Sequence, residues 1–243
     1  MNRKDFSKLL GLGAVALHSF PSFAFQQPQL PTDELIGKGN PTVFGDGFSL
    51  RKEAYEAFIK MRAAAAKDGF SIHVVSSYRN YAHQNRIWER KYKRYTTQGL
   101  SPEKAIKKII AYSTIPGTSR HHWATDIDII DANATYSGDV LVPKKFHGDG
   151  PFCKLREWLE KNANSFGFYI VYTDKHDRKG FKYEPWHYSY APLSKPMLKA
   201  YRELDIKTML QKEKLMGSEH FSEAFIHSYI NENILDINPE LLS

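Results

Sequence analysis

The chain has 243 residues, a formal net charge of +7 and a pI near 9.2, with 42% hydrophobic and 25% charged residues. That is ordinary globular composition, long enough to bury one sizeable core. The single cysteine, Cys153, excludes an internal disulfide and a Cys-based metal site. The basic residues are scattered and accompany no zinc-finger spacing, RNA-binding aromatic motif or heptad run, so nucleic acid is not an expected partner. The excess charge suits another polyanion, such as a membrane surface or a cell-wall polymer.

At the N-terminus, Arg3, Lys4 and Lys8 precede the apolar run Leu9 to Leu17, and Ser22-Phe23-Ala24 offers a small-x-small cleavage site. This pattern predicts an export signal over residues 1–24. The apolar run is far shorter than the roughly 20 residues of a membrane span, so no integral span is expected after cleavage. RKDFSKLL also resembles a twin-arginine signal with one arginine replaced by lysine. The mature chain is therefore expected in the periplasm or the extracellular space. Residues 25–48 read as an extended leader strapped onto the domain surface.

Ser49 is expected to cap a helix whose apolar face carries Ala54, Phe58 and Met61, with Gly69 ending it. SIHVVSS reads as a strand with Val74 and Val75 as core contributors. YRNYAHQNRIWERKYKRY is a loop entering a helix, with Arg79 at its start and Gln84 one turn further in. Ser101 and Pro102 form an N-cap and N1 pair for a helix reaching about Tyr112. Ile115-Pro116-Gly117 breaks that helix and leads into SRHHWATDID. TDIDII alternates as a half-buried strand does, placing Asp126 and Asp128 on one face and Ile127 and Ile129 on the other.

Gly148, Gly150 and Pro151 mark a loop, CKLREWLEKNANSF a helix, and FGFYIVYT a second strong strand. DKHDRKGFKYE reads as a polar hairpin-type connection into PWHYSY, a third. Beyond Pro196, Leu204 to Met216 reads as a charged helix stopped by Gly217. Phe225, Ile226, Tyr229, Ile230 and Ile234 then mark an amphipathic helix expected to pack on the parent domain. The order of short strands and helices predicts an α+β fold, a small antiparallel β-sheet flanked by helices with extra C-terminal helices.

A catalytic zinc site takes three protein ligands from His, Asp or Glu and keeps a fourth position for water. His121 or His122 with Asp126 or Asp128 can supply two ligands from one loop-to-strand segment. The outside candidate is His187 in EPWHYSY, with Glu184 three residues earlier as a candidate general base. Positions three apart on a strand face opposite ways, but Pro185 breaks regular pairing, and a bend there brings both groups into one cleft. Periodicity does not say which histidine of the pair points inward.

Three segments together carry a family resemblance: Ser76-Ser77-Tyr78-Arg79 with Gln84, then Ser119-Arg120-His121 running to Asp128, then Glu184-Pro185-Trp186-His187. In this order the chain resembles the zinc D-Ala-D-Ala carboxypeptidases of VanY type. Their wider group includes VanX-like dipeptidases, L,D-carboxypeptidases and phage L-Ala-D-Glu endopeptidases of the wall. The resemblance covers about residues 71–190. It implies a zinc peptidase with zinc in a cleft beside the sheet; with the elements read in chain order, the domain is expected over 49–196 and a helical extension over 197–243.

Carried over residue by residue, the resemblance makes His121, Asp128 and His187 the zinc ligands and Glu184 the base and proton shuttle. Arg79 would hold the substrate carbonyl oxygen as charge develops. Ser119, Gln84 and Tyr78 would contact the substrate peptide, and Trp186 would pack beside the metal and orient His187. His122 is left as a flanking residue. Two positions depart from the family pattern, Ala124 where it has Gly and Asp126 where it has Ala. Asp126 shares a strand face with Asp128 and is expected to hydrogen-bond a ligand histidine or a substrate group rather than bind zinc. The expected activity is hydrolysis of peptidoglycan stem peptides at the C-terminal D-alanine. Its rivals are an L,D-carboxypeptidase or wall endopeptidase of the same family and a non-catalytic wall-binding module; the oligomeric state is unreadable.

Overall fold

The computed structural model describes residues 30–242, and the expected export signal lies outside the described residues. Four strands, β1 (Ile72–Ser76), β2 (Asp126–Asp131), β3 (Phe168–Ile170) and β4 (His187–Tyr190), form one antiparallel sheet in the order β1-β2-β4-β3. Helices flank it, so the fold is α+β as the element order predicts. β2 and β4 are far apart in sequence but adjacent at the centre. Their register sets Asp128 opposite His187 and Asp126 opposite Ser189.

Ahead of the sheet come α1 (Thr32–Leu35) and α2 (Lys52–Lys67). Between the strands lie α3 (Tyr81–Thr97), α4 (Pro102–Ile109) and α5 (Cys153–Asn162). After β4 follow α6 (Ala191–Arg202), α7 (Ile206–Lys212) and α8 (Glu223–Tyr229). One apolar layer packs Phe58 and Met61 of α2 and Leu155 and Leu159 of α5 against Ile72, Ile127, Ile129 and Phe168 of the sheet. Each large side chain so buried contributes about 1.5–3 kcal/mol. A second cluster gathers Trp88, Ile106, Leu198, Leu210 and Tyr229 from the remaining helices. A third, smaller one joins Ile130, Phe146, Phe152 and Trp186.

Several expectations change. β2 is buried along its whole length, not half-buried, because strands flank it on both sides and both faces are covered. Ser49 does not cap α2; its N–H donates to Ser77 Oγ at 2.9 Å, and Arg51 occupies the N-cap position without a side-chain bond. Val75 is exposed because the β1–β2 register shifts between Val74 and Ser76, leaving it unpaired while Ile72 enters the core. The leader is not simply extended. Residues 32–35 form α1, Leu35 and Ile36 are buried, and Trp123 Nε1 donates to the Leu35 carbonyl at 3.0 Å. Glu34 also pairs with Arg51.

The 197–243 segment is continuous with the rest, because α6 runs through residue 196 and its apolar side chains share the second cluster. The charged helix expected over 204–216 is shorter, Ile206–Lys212, although Gly217 does stop the segment in a left-handed conformation at φ 84°. The C-terminal helices reach the loop before Ser119. Tyr229 Oη accepts from the Ile115 N–H at 3.0 Å and shares a 2.7 Å bond with Thr118 Oγ1, and Tyr201 Oη donates to the Gly117 carbonyl at 2.9 Å.

Tyr229→Phe strands the buried Ile115 N–H, and an unsatisfied buried donor costs about 1–3 kcal/mol. The expected outcome is a loss of that size in urea unfolding.

Candidate active site

The site grows out of the β2–β4 ladder. Asp128 and His187 oppose each other on these strands, and His121 joins them from a 3-10 turn over Arg120–Trp123 that Ser119 caps through its Oγ. Ala124 closes the turn with φ 56° and ψ 35°. This left-handed conformation costs a non-glycine residue about 1–2 kcal/mol, which is why the family pattern has Gly here. Arg51 holds the strained segment, donating from its backbone N–H to the Ala124 carbonyl at 2.8 Å and from Nε to the Trp123 carbonyl at 2.9 Å.

One donor atom from each of His121, Asp128 and His187 lies within 4.8 Å of the others, and all three residues are buried. His121 Nε2 is 3.4 Å from Asp128 Oδ2, and His187 Nδ1 is 3.7 Å from Asp128 Oδ1. Ligands about 2.0–2.1 Å from a tetrahedral zinc sit roughly 3.3 Å apart, so the spacing fits. Asp128 Oδ1 is buried without a hydrogen-bond partner, as expected of an atom reserved for a cation. The outer nitrogens are engaged: His121 Nδ1 faces the Ser77 carbonyl at 2.8 Å and His187 Nε2 faces Asp126 Oδ2 at 2.9 Å. These bonds leave the inner lone pairs for a metal.

Electrostatics favour a cation at the same point. Burial opposes charge on His187, but Asp128, Asp126 and Glu184 outweigh it and push its pKa up to about 10. Burial pulls His121 down. Glu184 Oε2 lies 3.0 Å from His187 Nδ1, because the His187 N–H closes a turn onto the Glu184 carbonyl at 3.1 Å. Pro185 thus does bend the chain so that both groups share one cleft. Burial raises the Glu184 pKa, against the lowering pull of His187 and Arg79.

Asp126 does not join the three. It lies at the centre of a buried network in which Oδ2 accepts from His187 Nε2 at 2.9 Å and Arg120 Nε at 3.0 Å. Oδ1 accepts from Thr125 Oγ1 at 2.8 Å and Ser189 Oγ at 2.7 Å, and Arg120 Nη2 donates to Ser189 Oγ at 2.7 Å. Burial opposes ionisation of Asp126, yet Arg120 and His187 hold its pKa well below the usual carboxylate range. Arg120, Ser189 and Ser77 escaped sequence reasoning. None of the three left a local signal, because their partners lie on other segments: Arg120 and Ser189 meet at Asp126, and Ser77 offers its carbonyl to His121.

A cleft of about 620 Å³ opens onto the centre and is lined by Arg79, Ser119, His121, Asp128, Tyr172, Glu184, Trp186 and His187, among others. Arg79 is half-buried; its Nη1 donates to Ser76 Oγ at 3.1 Å, and its buried Nε has no partner, leaving a donor free beside the centre. Tyr78 and Gln84 are not on the cleft wall. Tyr78 points toward the leader, with its hydroxyl 3.5 Å from the Gly39 carbonyl. Gln84 turns into the protein and donates to the Thr114 carbonyl at 2.9 Å. The Trp186 ring packs on Phe146, centroids 5.6 Å apart, and does not orient His187; Asp126 and the edge-on Tyr172 ring at 5.2 Å do so.

His122 is fully buried and structural: its Nδ1 donates to the Arg79 carbonyl at 2.6 Å and its Nε2 accepts from the Gly117 N–H at 3.2 Å. It clamps the Arg79 loop from behind. Gly37 makes room for it, since a Cβ there would lie 2.4 Å from His122 Nδ1.

Asp126→Ala leaves the Arg120 guanidinium buried and uncompensated, a loss of about 3–5 kcal/mol. Urea unfolding should show that loss, and Asp126→Ala combined with Arg120→Leu should recover most of it.

Residues 47–193, more than half of the chain, match the family model described as VanY: D-alanyl-D-alanine carboxypeptidase. YodJ of Bacillus subtilis is 31% identical over 142 residues, covering 58% of this chain and 46% of its own length. A D-alanyl-D-alanine carboxypeptidase of Enterococcus faecalis is 30% identical over 152 residues, covering 62% of this chain and 52% of its own. The chain therefore spans about half the length of these curated relatives. The structure of a vancomycin-resistance D,D-pentapeptidase VanY in complex with Zn(II) superposes with a TM-score of 0.53 at 23% identity, covering 81% of this chain and 96% of that one, and so shares the fold. By the extent of the family match, the chain belongs to the VanY family of D-alanyl-D-alanine carboxypeptidases.

Proposed function

We propose that the protein is a zinc-dependent carboxypeptidase that removes the C-terminal D-alanine of peptidoglycan stem peptides, acting outside the cytoplasm. The observation that carries this reading is the convergence of His121, Asp128 and His187 donor atoms within 4.8 Å, with Glu184 against the same ring nitrogen of His187. A closed structural site has no use for that extra carboxylate. Family membership and the Zn(II) held by the VanY neighbour support the metal and the substrate class. The export pattern in residues 1–24 supports the location.

His121 Nε2, Asp128 and His187 Nδ1 would hold the ion. A bound zinc supplies Lewis acidity, lowering the pKa of water at its open position and polarising a carbonyl. Glu184 takes the proton of the attacking water and returns it to the leaving amine nitrogen as the peptide bond breaks. Arg79 faces the carbonyl oxygen as negative charge develops there, and its unpartnered Nε, shielded from solvent on the cleft wall, makes the cation worth more than it would be in water. Ser119 sits on the cleft wall where the substrate backbone would pass.

Incubation of the zinc-loaded protein with defined tri-, tetra- and pentapeptide stems, read by mass spectrometry, tests the bond. Pentapeptide converted to tetrapeptide plus D-alanine is the expected result; loss of the last residue of the tetrapeptide alone would assign an L,D-carboxypeptidase instead. Glu184→Gln should retain zinc by metal analysis and lose about 10²–10⁴ in kcat. Arg79→Ala should lower kcat by about 10²–10³ with a much smaller change in KM, as removal of an interaction made mainly in the transition state does.

A further inference from the structure

The wall of the cleft formed by α3 and α4 is cationic, and the mechanism uses none of it. Ile87, Arg90, Lys91 and Arg94 fall at i, i+3, i+4 and i+7, so one face of α3 turns them into the cleft, and Lys108 of α4 joins them. Among the described residues, none of these four cations has a carboxylate within ion-pair distance. Glu89, the acidic residue of α3, turns instead toward Lys93. Tyr95 gathers two of the cations: Arg94 Nη2 donates to its hydroxyl at 2.9 Å, and Lys108 Nζ lies 4.5 Å from its ring centre.

Like charges gathered without counter-ions cost free energy, so their placement on a ligand-sized cleft calls for an anion from outside. Burial, helped by Arg79, already pulls the Lys91 pKa down, a sign of the same crowding. Across the cleft, Asp139 is the acidic residue on a wall otherwise formed by Leu141, Val142 and Pro143. Resting on the peptidase reading above, we infer that the cleft recognises a second carboxylate of the substrate, carried on a side chain away from the scissile C-terminal residue. Arg90, Lys91, Arg94 and Lys108 bind it. The substrate class is then a stem peptide whose internal carboxylate is free rather than amidated.

The test uses two pentapeptides identical in sequence and in their D-Ala-D-Ala end, one with the internal side-chain carboxylate free and one with it amidated. Dissociation constants are measured by calorimetry on zinc-loaded Glu184→Gln protein, and kcat and KM on the zinc-loaded parent. Binding of the free acid about ten-fold tighter, as charge-assisted contacts provide, is expected, with the kinetic difference in KM rather than kcat. Adding Arg90→Glu and Arg94→Glu, at two exposed positions, should abolish or reverse the preference. Equal affinities of the two peptides for the Glu184→Gln protein, or a preference that survives the charge reversal, would overturn the inference. If neither peptide is cleaved while the binding preference holds, the peptidase reading fails and the carboxylate site stands.

Discussion

Asp128 and His187 meet because β2 and β4 pair in a single register, and a shift of one residue would turn every side chain of the strand to the opposite face. The rest of the molecule is arranged to keep that register. Ile127 and Ile129 anchor β2 in the layer under α2 and α5, on the side away from the carboxylates. Tyr188, between His187 and Ser189, enters the same layer from β4. The strand-borne half of the polar centre, Asp128 and His187, is thereby fixed from beneath by packing.

The remaining parts of the centre come from loops, and each loop has its own tether. The turn carrying His121 is pinned by Arg51 at one end and by the His122 ring at the other. The loop before it is tied down by Tyr201 and Tyr229, from helices whose role was unreadable in the sequence. The leader contributes as well, since the Gly37 carbonyl receives the Tyr81 N–H at 2.7 Å where α3 begins. A sheet of four short strands can hold a rigid site because helices before and after it in the described residues brace its loops.

What could be read in advance follows from the range of the interactions involved. Alternation in TDIDII put Asp128 on a polar face, and the break at Pro185 placed Glu184 beside His187; both are local features. Ser101 opens α4 and Gly69, in a left-handed conformation, follows the end of α2, as local capping chemistry dictates. Val75 was misplaced because a bulge depends on the partner strand, which local propensity does not contain. Gln84 and Tyr78 lie off the cleft wall for a similar reason: helix and loop residues in the right order can still face a neighbouring carbonyl rather than the cleft. The orienting partner of His187 was found in Asp126, a residue that stood out by departing from the family pattern, whereas its counter-ion Arg120 became recognisable only in three dimensions.

The Asp126–Arg120 pair also bears on how such a site can change over generations. A chain carrying alanine at 126 would leave a buried arginine at 120 without its carboxylate partner, and Asp126, fully buried, relies on Arg120 for charge balance. Either replacement alone passes through an intermediate with one stranded charge behind a prospective metal ligand. The two positions are therefore expected to change together: a chain with aspartate at 126 should keep a cation at 120, and one with alanine at 126 is freed from that constraint.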